Sequence, residues 1–428
     1  MYRRRGVEVQ GFLSRADFAG YHAAAALTGR NPRHLDSWLM SADLCREVFL
    51  RTARPAQLAV VQGDFGTQPK VPGEGASSGN GGNLETLCRW LDLPRVVILD
   101  AAQVGTCGLP RHLAAADGVL IDRIRDEEHL VRLRTELDSL WGIPVLGALP
   151  DQPALRAAIE ALPAGERPSR NLVFEIGNLF ARYWNASRFE AVCRRPAPPR
   201  PAVQVFHEDG SLLKLTVAVA YDQAFNCYFA DALDLLELRG ATVVDFSPLR
   251  DEGLPPGTDI VYLGSGQPER FADALAENHC MKESIRGHLR RGARLYAEGG
   301  AMAYLCQEME TEDGRWQRML GVLAAAARLN REPLPSRPVE ITMHRANWLG
   351  HAGTRLRGYR NENWTLEPVG PFAGFALEEG HRHDLVGSFH AVASRVHLDF
   401  AAQGDFVRHF FYPQMTRSQI LGIGSSVR

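Results

Sequence analysis

Short apolar runs bounded by turn residues alternate along this chain with stretches of helical periodicity. The first set is Leu58-Ala59-Val60-Val61, Val96-Val97-Ile98-Leu99, Gly118-Val119-Leu120-Ile121 and Pro144-Val145-Leu146-Gly147. Runs of this length separated by helical stretches predict a parallel sheet covered by helices. The rhythm breaks and then restarts with Leu215 to Ala220, Thr242 to Phe246, Ile260 to Leu263 and Arg294 to Ala297. A second α/β unit therefore follows the first. Between them lies Cys193 to Pro201 (CRRPAPPRP), whose prolines join neither a helix interior nor a central strand and favour an extended spacer. The expected division is a first domain over 1–193, a linker over 194–212 and a second domain over 213–428. Thr67 to Gly82 is rich in Gly and Ser and directly follows a strand, which predicts a loop at the carboxyl edge of the sheet, where open α/β sheets bind ligands.

A chain of 428 residues is too long for one ordinary core, and two domains fit it best. Its 48 basic and 50 acidic residues nearly cancel, which argues against nucleic acid or a membrane surface as partner. It contains no apolar run of about 18 residues, and Met1 to Gly6 lacks the apolar stretch of a secretory signal, so a cytoplasmic location is expected. Seven cysteines, odd in number and never spaced CxxC, argue against a disulfide framework and a zinc site.

The most informative chemistry sits at Leu295 to Leu305 (LYAEGGAMAYL): a short strand, a glycine turn and a helix, the elbow that presents a nucleophile at the edge of a parallel sheet. Covalent catalysis needs Ser or Cys at the tip, and Gly299 and Gly300 offer only hydrogen. Cys306 lies on the following helix, where packing is its expected role. No GxxxxGKS or GxxxxGKT phosphate loop occurs in the chain. Asp100, at a strand end, has the position of a magnesium or nucleotide contact, or equally of a helix cap. Asp64 reads as a turn residue. Arg355 and Arg357 are suited to pairing with ligand carboxylates, or stand as solvated edge residues. His351, His381, His383 and His390 form a late histidine concentration more consistent with polar loops than with a metal; no metal ligand is assigned.

Several of these segments, in order and nearly end to end, resemble the cobyrinate a,c-diamide synthase family. Gly20-Tyr21-His22, Thr28-Gly29-Arg30 and Leu35-Asp36-Ser37-Trp38-Leu39-Met40 are similar to its GYH, TGR and LDPWM signature. Val60 to Gly66 resembles VVEGVMG, with Gln62 in place of the glutamate, and Val97 to Ala101 resembles VLVVDAS. In the second half, Val217 to Phe225 resembles IAVARDAAF, Tyr262 to Glu269 resembles YLGGGYPE, Tyr296 to Gly300 resembles YAECGG, and Gly353 to Gly358 resembles GTRFRG. His397 matches the first histidine of SYVHLHF, and Asp399 replaces the second.

The resemblance implies an α/β fold of two domains: a P-loop-type, dethiobiotin synthetase-like parallel sheet followed by a class I glutamine amidotransferase-like, flavodoxin-like domain. It implies ATP-dependent activation of a tetrapyrrole acetate and its amidation by ammonia from glutamine. Against that pattern, Gly299 marks the position of the lost nucleophile and His397 is a relic of the triad base. Gln62 and Asp100 stand at the nucleotide side; His22, Asp36, Arg355 and Arg357 stand at the substrate side. Met1 to Val9 resembles the end of the helix that follows the phosphate loop, so roughly the first strand, the loop and most of that helix are missing. That strand would be central, and its loss would leave backbone groups and apolar faces uncovered. Two readings stay open: a non-catalytic binding or regulatory protein of a tetrapyrrole pathway, homo-oligomeric or docked on an intact homologue, or an ammonia-using amidotransferase of a cobyrinate- or sirohydrochlorin-type precursor. No cofactor is assigned, and ATP with magnesium belongs only to a chain carrying an upstream phosphate loop.

Overall fold

The computed structural model describes residues 2–15, 18, 20–65, 81–107, 115–162, 166–202, 204–208, 214–332, 336–377 and 383–411. Most of the predicted Gly/Ser loop, Asp17 and His381 lie outside these residues. Among the described residues, the first half contains six strands: β1 (Val9–Leu13), β2 (Arg33–His34), β3 (Leu58–Gln62), β4 (Val96–Asp100), β5 (Gly118–Ile124) and β6 (Val145–Pro150). All pairings are parallel, but they form two separate sheets, ordered β2-β1-β3 and β4-β5-β6. Strand β1 escapes the apolar-run reading because Gln10 and Gly11 interrupt it. Gln10 is nonetheless buried, its amide donating to the Asn31 carbonyl at 3.1 Å, which removes the penalty of an unpaired polar group.

The second half begins with β7 (Thr216–Ala220), β8 (Phe225–Cys227), β9 (Thr242–Phe246), β10 (Ile260–Leu263), β11 (Ser265–Gly266) and β12 (Arg294–Glu298). It continues with β13 (Glu308–Glu310), β14 (Trp316–Arg318), β15 (Ala325–Leu329), β16 (Arg337–Met343), β17 (Arg355–Arg360) and β18 (Trp364–Pro368). The last strands are β19 (Ala373–Leu377), β20 (His383–Gly387), β21 (Ala391–Ser394) and β22 (Val396–Leu398). Ten of them form one sheet, ordered β22-β17-β16-β19-β20-β21-β12-β10-β7-β9. The run from β21 to β9 is parallel, and the four strands predicted from apolar runs are β7, β9, β10 and β12 within it. The antiparallel remainder has no such signature. Strand β17, for example, alternates exposed arginines with buried Leu356 and Gly358, as a sheet with one wet face does.

Packing explains why the first half splits. The β1 to β3 sheet shares one apolar cluster with the second half, in which Phe12, Val48 and Phe49 join Tyr262, Tyr296, Phe400 and Phe410. The β4 to β6 sheet has its own core, built on Val119, Ile121, Leu133 and Val145. Charge also ties the halves together. Arg33 Nη1 lies 3.0 Å from Asp231 Oδ1 and 2.7 Å from Asp234 Oδ2, and Arg51 Nη2 lies 2.8 Å from Asp234. Residues 194–202 carry neither helix nor strand. No helix among the described residues is long and apolar enough to cross a membrane.

Candidate functional site

Strand β12 ends at Glu298, Gly299 turns with φ +53°, and a helix follows over Ala301–Leu305. The elbow predicted from the sequence is present. Its backbone is closed tightly: the Gly299 N–H donates to the Ser394 carbonyl at 2.9 Å, and the Met302 N–H donates to the Gly299 carbonyl at 3.1 Å. Position 299 combines the left-handed conformation, which favours glycine, with close neighbours on the side where a side chain would project. A Cβ placed there would lie 2.5 Å from His397 Cε1, 2.5 Å from Ser265 Oγ and 3.0 Å from His397 Nε2.

The fold thus brings Gly299 and His397 together from strands distant in sequence, as expected of a nucleophile position and its base. It adds Glu298, and it sets against the elbow Ser265, which breaks the glycine run that the resemblance implies for an oxyanion loop at 264–266. Glu298 is 1% exposed, and its Oε2 lies 3.7 Å from His397 Nδ1, too long for a hydrogen bond. The carboxylate is itself held by the Tyr296 hydroxyl at 2.6 Å and the Leu398 N–H at 3.2 Å. Ser265 occupies the space facing the elbow, and the Gly300 N–H points at its Oγ from 3.5 Å. The signal for Glu298 was its place directly before the elbow. Only the cross-strand approach shows which way its carboxylate faces.

Phe18, from the first half, covers the His397 ring edge-to-face at 5.2 Å between centroids. His397 is 2% exposed and Ser265 5%, so the pocket is closed as well as lacking a nucleophile. Cys306 does not substitute for one. Its thiol is buried, donates to the Met302 carbonyl at 3.4 Å, and is pushed up to about 12 by that burial.

Asp399 does not orient His397. Its Oδ1 accepts the Ala401 and Ala402 N–H groups at 2.9 and 3.3 Å, while Oδ2 is buried without a hydrogen bond. Burial, reinforced by the negative potential of Asp231 and Asp36 and opposed by the two N–H donors, pushes this carboxyl up to about 7. A native carboxyl that holds its proton more tightly than the unfolded chain, whose ordinary value is 3.8, stabilises the fold less as pH rises from about 4 through about 7. The full difference corresponds to about 4 kcal/mol. We expect the melting temperature to fall between pH 5 and 8, and Asp399→Asn to remove about half of that slope. Glu269, also pushed up to about 7 by burial, would supply the remainder. A slope unchanged in the variant would exclude Asp399 as its source.

Asp36, matched to the family signature, is fully buried. Its Oδ1 accepts the Trp38 and Leu39 N–H groups at 2.8 and 3.2 Å, and its Oδ2 accepts the Tyr359 hydroxyl at 2.6 Å. The same hydroxyl accepts the Gly82 N–H at 2.9 Å, so the end of the Gly/Ser loop meets both halves here. Arg15 lies 5.6 Å over the Tyr359 ring and Arg357 lies 5.7 Å over Trp38, giving a cationic rim on an aromatic floor. Arg355 and Arg357 are exposed and share Glu340, at 3.5 and 2.7 Å. His22 is removed from this group: Nε2 meets Asn226 Oδ1 at 3.0 Å across the interface, and burial holds its pKa below the usual value.

Asp100 and Gln62, read as the nucleotide side, are on different sheets. Both Asp100 oxygens are taken by the Arg123 guanidinium, Oδ1 at 2.6 Å from Nε, and Oδ1 also accepts the Ala102 N–H at 3.1 Å. Gln62 is exposed at the end of β3. These residues do not fit a magnesium–nucleotide site, and no chemical step is derived through one. Asp64, expected in a turn, lies two residues past β3 with no turn assigned, and its carbonyl accepts the Leu84 N–H at 3.1 Å. Among the described residues, no group of three His, Cys, Asp or Glu is placed to hold a metal. His351 stacks edge-on with His409 at 5.2 Å, and His383 tilts against His344 at 5.1 Å.

The parallel sheet, the elbow and the histidine behind it define an α/β protein with a class I glutamine amidotransferase-like domain, and residues 216–384 match the model of the CobB/CobQ-like glutamine amidotransferase domain. The chain is 31% identical over 447 residues to the hydrogenobyrinate a,c-diamide synthase of Streptomyces coelicolor, covering 91% of this chain and 87% of that protein. It is 28% identical over 439 residues to the cobyrinate a,c-diamide synthase of Listeria monocytogenes, covering 96% and 93%. The chain belongs to the cobyrinate a,c-diamide synthase family.

Proposed function

We propose that this chain is a degenerate member of its family, without glutaminase or ATP-dependent ligase activity, that acts in the cytoplasm as a binding or regulatory protein of a tetrapyrrole pathway. The observation that carries this reading is the elbow. Without a sulfur or oxygen at position 299 there is no atom to capture an acyl group, and His397 and Ser265 crowd the space where one would stand. His397 then has no proton to accept from a nucleophile and serves as a packed ring under Phe18.

A polycarboxylate macrocycle suits the substrate side. Trp38 and Tyr359 supply flat apolar area, while Arg15, Arg355 and Arg357 supply guanidinium groups able to pair with peripheral carboxylates. The first half is read as a P-loop-type domain, joined through a boundary at 194–212 to the amidotransferase-like half. Asp100, tied to Arg123, and Gln62, on the other sheet, support the loss of nucleotide chemistry. The amidating alternative, using free ammonia, draws on no comparable observation at the elbow.

Two measurements on the purified chain test the proposal. Incubation with glutamine is expected to release no glutamate above the uncatalysed background, and a turnover number near one per second would refute the inactive reading. Titration with a tetrapyrrole polyacid should perturb its absorbance, with the effect weakened by Arg357→Ala together with Arg15→Ala. No spectral change at any concentration would end the tetrapyrrole assignment.

A further inference from the structure

A histidine, a cysteine and an asparagine converge at the seam between the halves. His22 stands on the helix Tyr21–Thr28 of the first half, and Cys227 ends β8, where the ladder sets it opposite Ser265 of β11. Cys227 Sγ lies 3.6 Å from His22 Nε2. Asn226 Oδ1 rests against both: it accepts the Cys227 thiol at 3.3 Å and stands 3.0 Å from His22 Nε2. The Asn226 Nδ2 group donates to the Gln223 carbonyl at 3.3 Å, which keeps the oxygen turned inward. Sulfur, nitrogen and amide oxygen thus form a triangle. Its histidine and cysteine are 205 residues apart, so no spacing motif announces it.

The sides of that triangle approach the lengths a four-coordinate metal requires. Bonds of about 2.3 Å to thiolate and about 2.0–2.1 Å to imidazole, at the tetrahedral angle, put sulfur and nitrogen about 3.6 Å apart. The oxygen belongs about 3.4 Å from the nitrogen and about 3.6 Å from the sulfur, a retreat of a few tenths of an ångström that the half-buried Asn226 can make. His22 and Cys227 are only 6% and 9% exposed, whereas Gln223 beside Asn226 is open to solvent, so the oxygen corner faces the way in. Burial, with the exposed Arg167 acting in the same direction and the Asn226 contact opposing, keeps the imidazole in its neutral, ligating form. Thiolate with imidazole suits a borderline cation and disfavours magnesium or calcium.

We propose that His22, Cys227 and Asn226 bind a divalent cation of the zinc class, with water in the fourth position. Binding sends the thiol proton to solvent and leaves the ring proton on Nδ1, so that sulfur and Nε2 each turn a lone pair to the metal. One ligand comes from the first half and two from the second, so the cation clasps the seam. The site is separate from the elbow, and it holds whether or not the chain is an amidotransferase.

The test titrates cobalt(II) into the full, reduced chain, with Cys280→Ser introduced beforehand to remove an exposed thiol. About one cobalt ion per chain is expected to bind, with a thiolate-to-cobalt charge-transfer absorption in the near ultraviolet that zinc abolishes by displacement. That absorption should vanish in Cys227→Ser, and His22→Gln should weaken binding at least about tenfold. Asn226→Asp retains every donor and adds a charge. It should tighten binding at least about tenfold, which keeps the test decisive where a deletion variant does not fold. Absence of the absorption in the parent chain would overturn the proposal and leave a hydrogen-bonded trio. So would an absorption that persists in Cys227→Ser, which belongs to another thiol, or an Asn226→Asp affinity no higher than the parent's.

Discussion

Gly299→Cys alone is expected to destabilise the protein and to leave glutamine hydrolysis absent, whereas Gly299→Cys combined with Ser265→Gly should yield a reactive thiol. The single variant places a Cβ in a left-handed conformation, which costs roughly 1–2 kcal/mol for a non-glycine residue. It also drives that atom to 2.5 Å from both Ser265 Oγ and His397 Cε1, well inside contact distance. Ser265 sits on the short strand β11, paired with β8, so its backbone does not yield easily. Deleting its hydroxymethyl group removes one of the two collisions and lets the imidazole turn away from the other. The sulfur would then stand beside His397, with Glu298 at 3.7 Å behind the ring, a histidine neighbour of the kind that activates cysteine thiols. Alkylation by iodoacetamide at pH 7 should be at least about tenfold faster at position 299 in the double variant than in the single one. Equal alkylation rates, or glutamate release by the single variant, would mean that the site is not blocked in the way its geometry indicates.

Asp231→Ala should cost about 3–5 kcal/mol, the usual consequence of removing one partner from a buried ion cluster. Asp231 is 3% exposed and faces two guanidinium groups, those of Arg33 and Arg51. Both cations come from the first half, and both also reach Asp234. After the change a single, more exposed carboxylate would face two partly buried cations at the seam between halves. Since domains of this kind are stable by only about 5–15 kcal/mol, a loss of that size should lower the urea midpoint markedly. The two halves would separate in such an experiment only if charge alone joined them, but they also share an apolar cluster. One cooperative transition shifted to lower urea is therefore the expected form. A shift equivalent to less than about 1 kcal/mol would show the cluster to be no stronger than a surface pair.

Much of this architecture was legible because buried parallel strands carry a signal that needs no context. Runs such as Ile260 to Leu263 are apolar on both faces, and the structure places them in the parallel part of the large sheet. Strand β1 was not legible, since its Gln10 is satisfied only by the Asn31 carbonyl of a loop some twenty residues on. The antiparallel strand β17 was hidden for a related reason, because Arg355 and Arg357 face outward and resemble loop. At the site, Gly299 and His397 were readable as motif positions. The roles of Ser265, Glu298 and Phe18 were not, since each depends on an approach between segments about 30 to 380 residues apart.

What the amino-acid order determined alone is the absence of a nucleophile at the elbow, the alternation of strand and helix, and family membership, because these reside in the identity and local spacing of residues. Tertiary structure decided the rest. Whether a side chain could be restored at position 299, which carboxylate stands behind His397 and why the first half divides into two sheets all depend on distances across the fold, which no local pattern encodes.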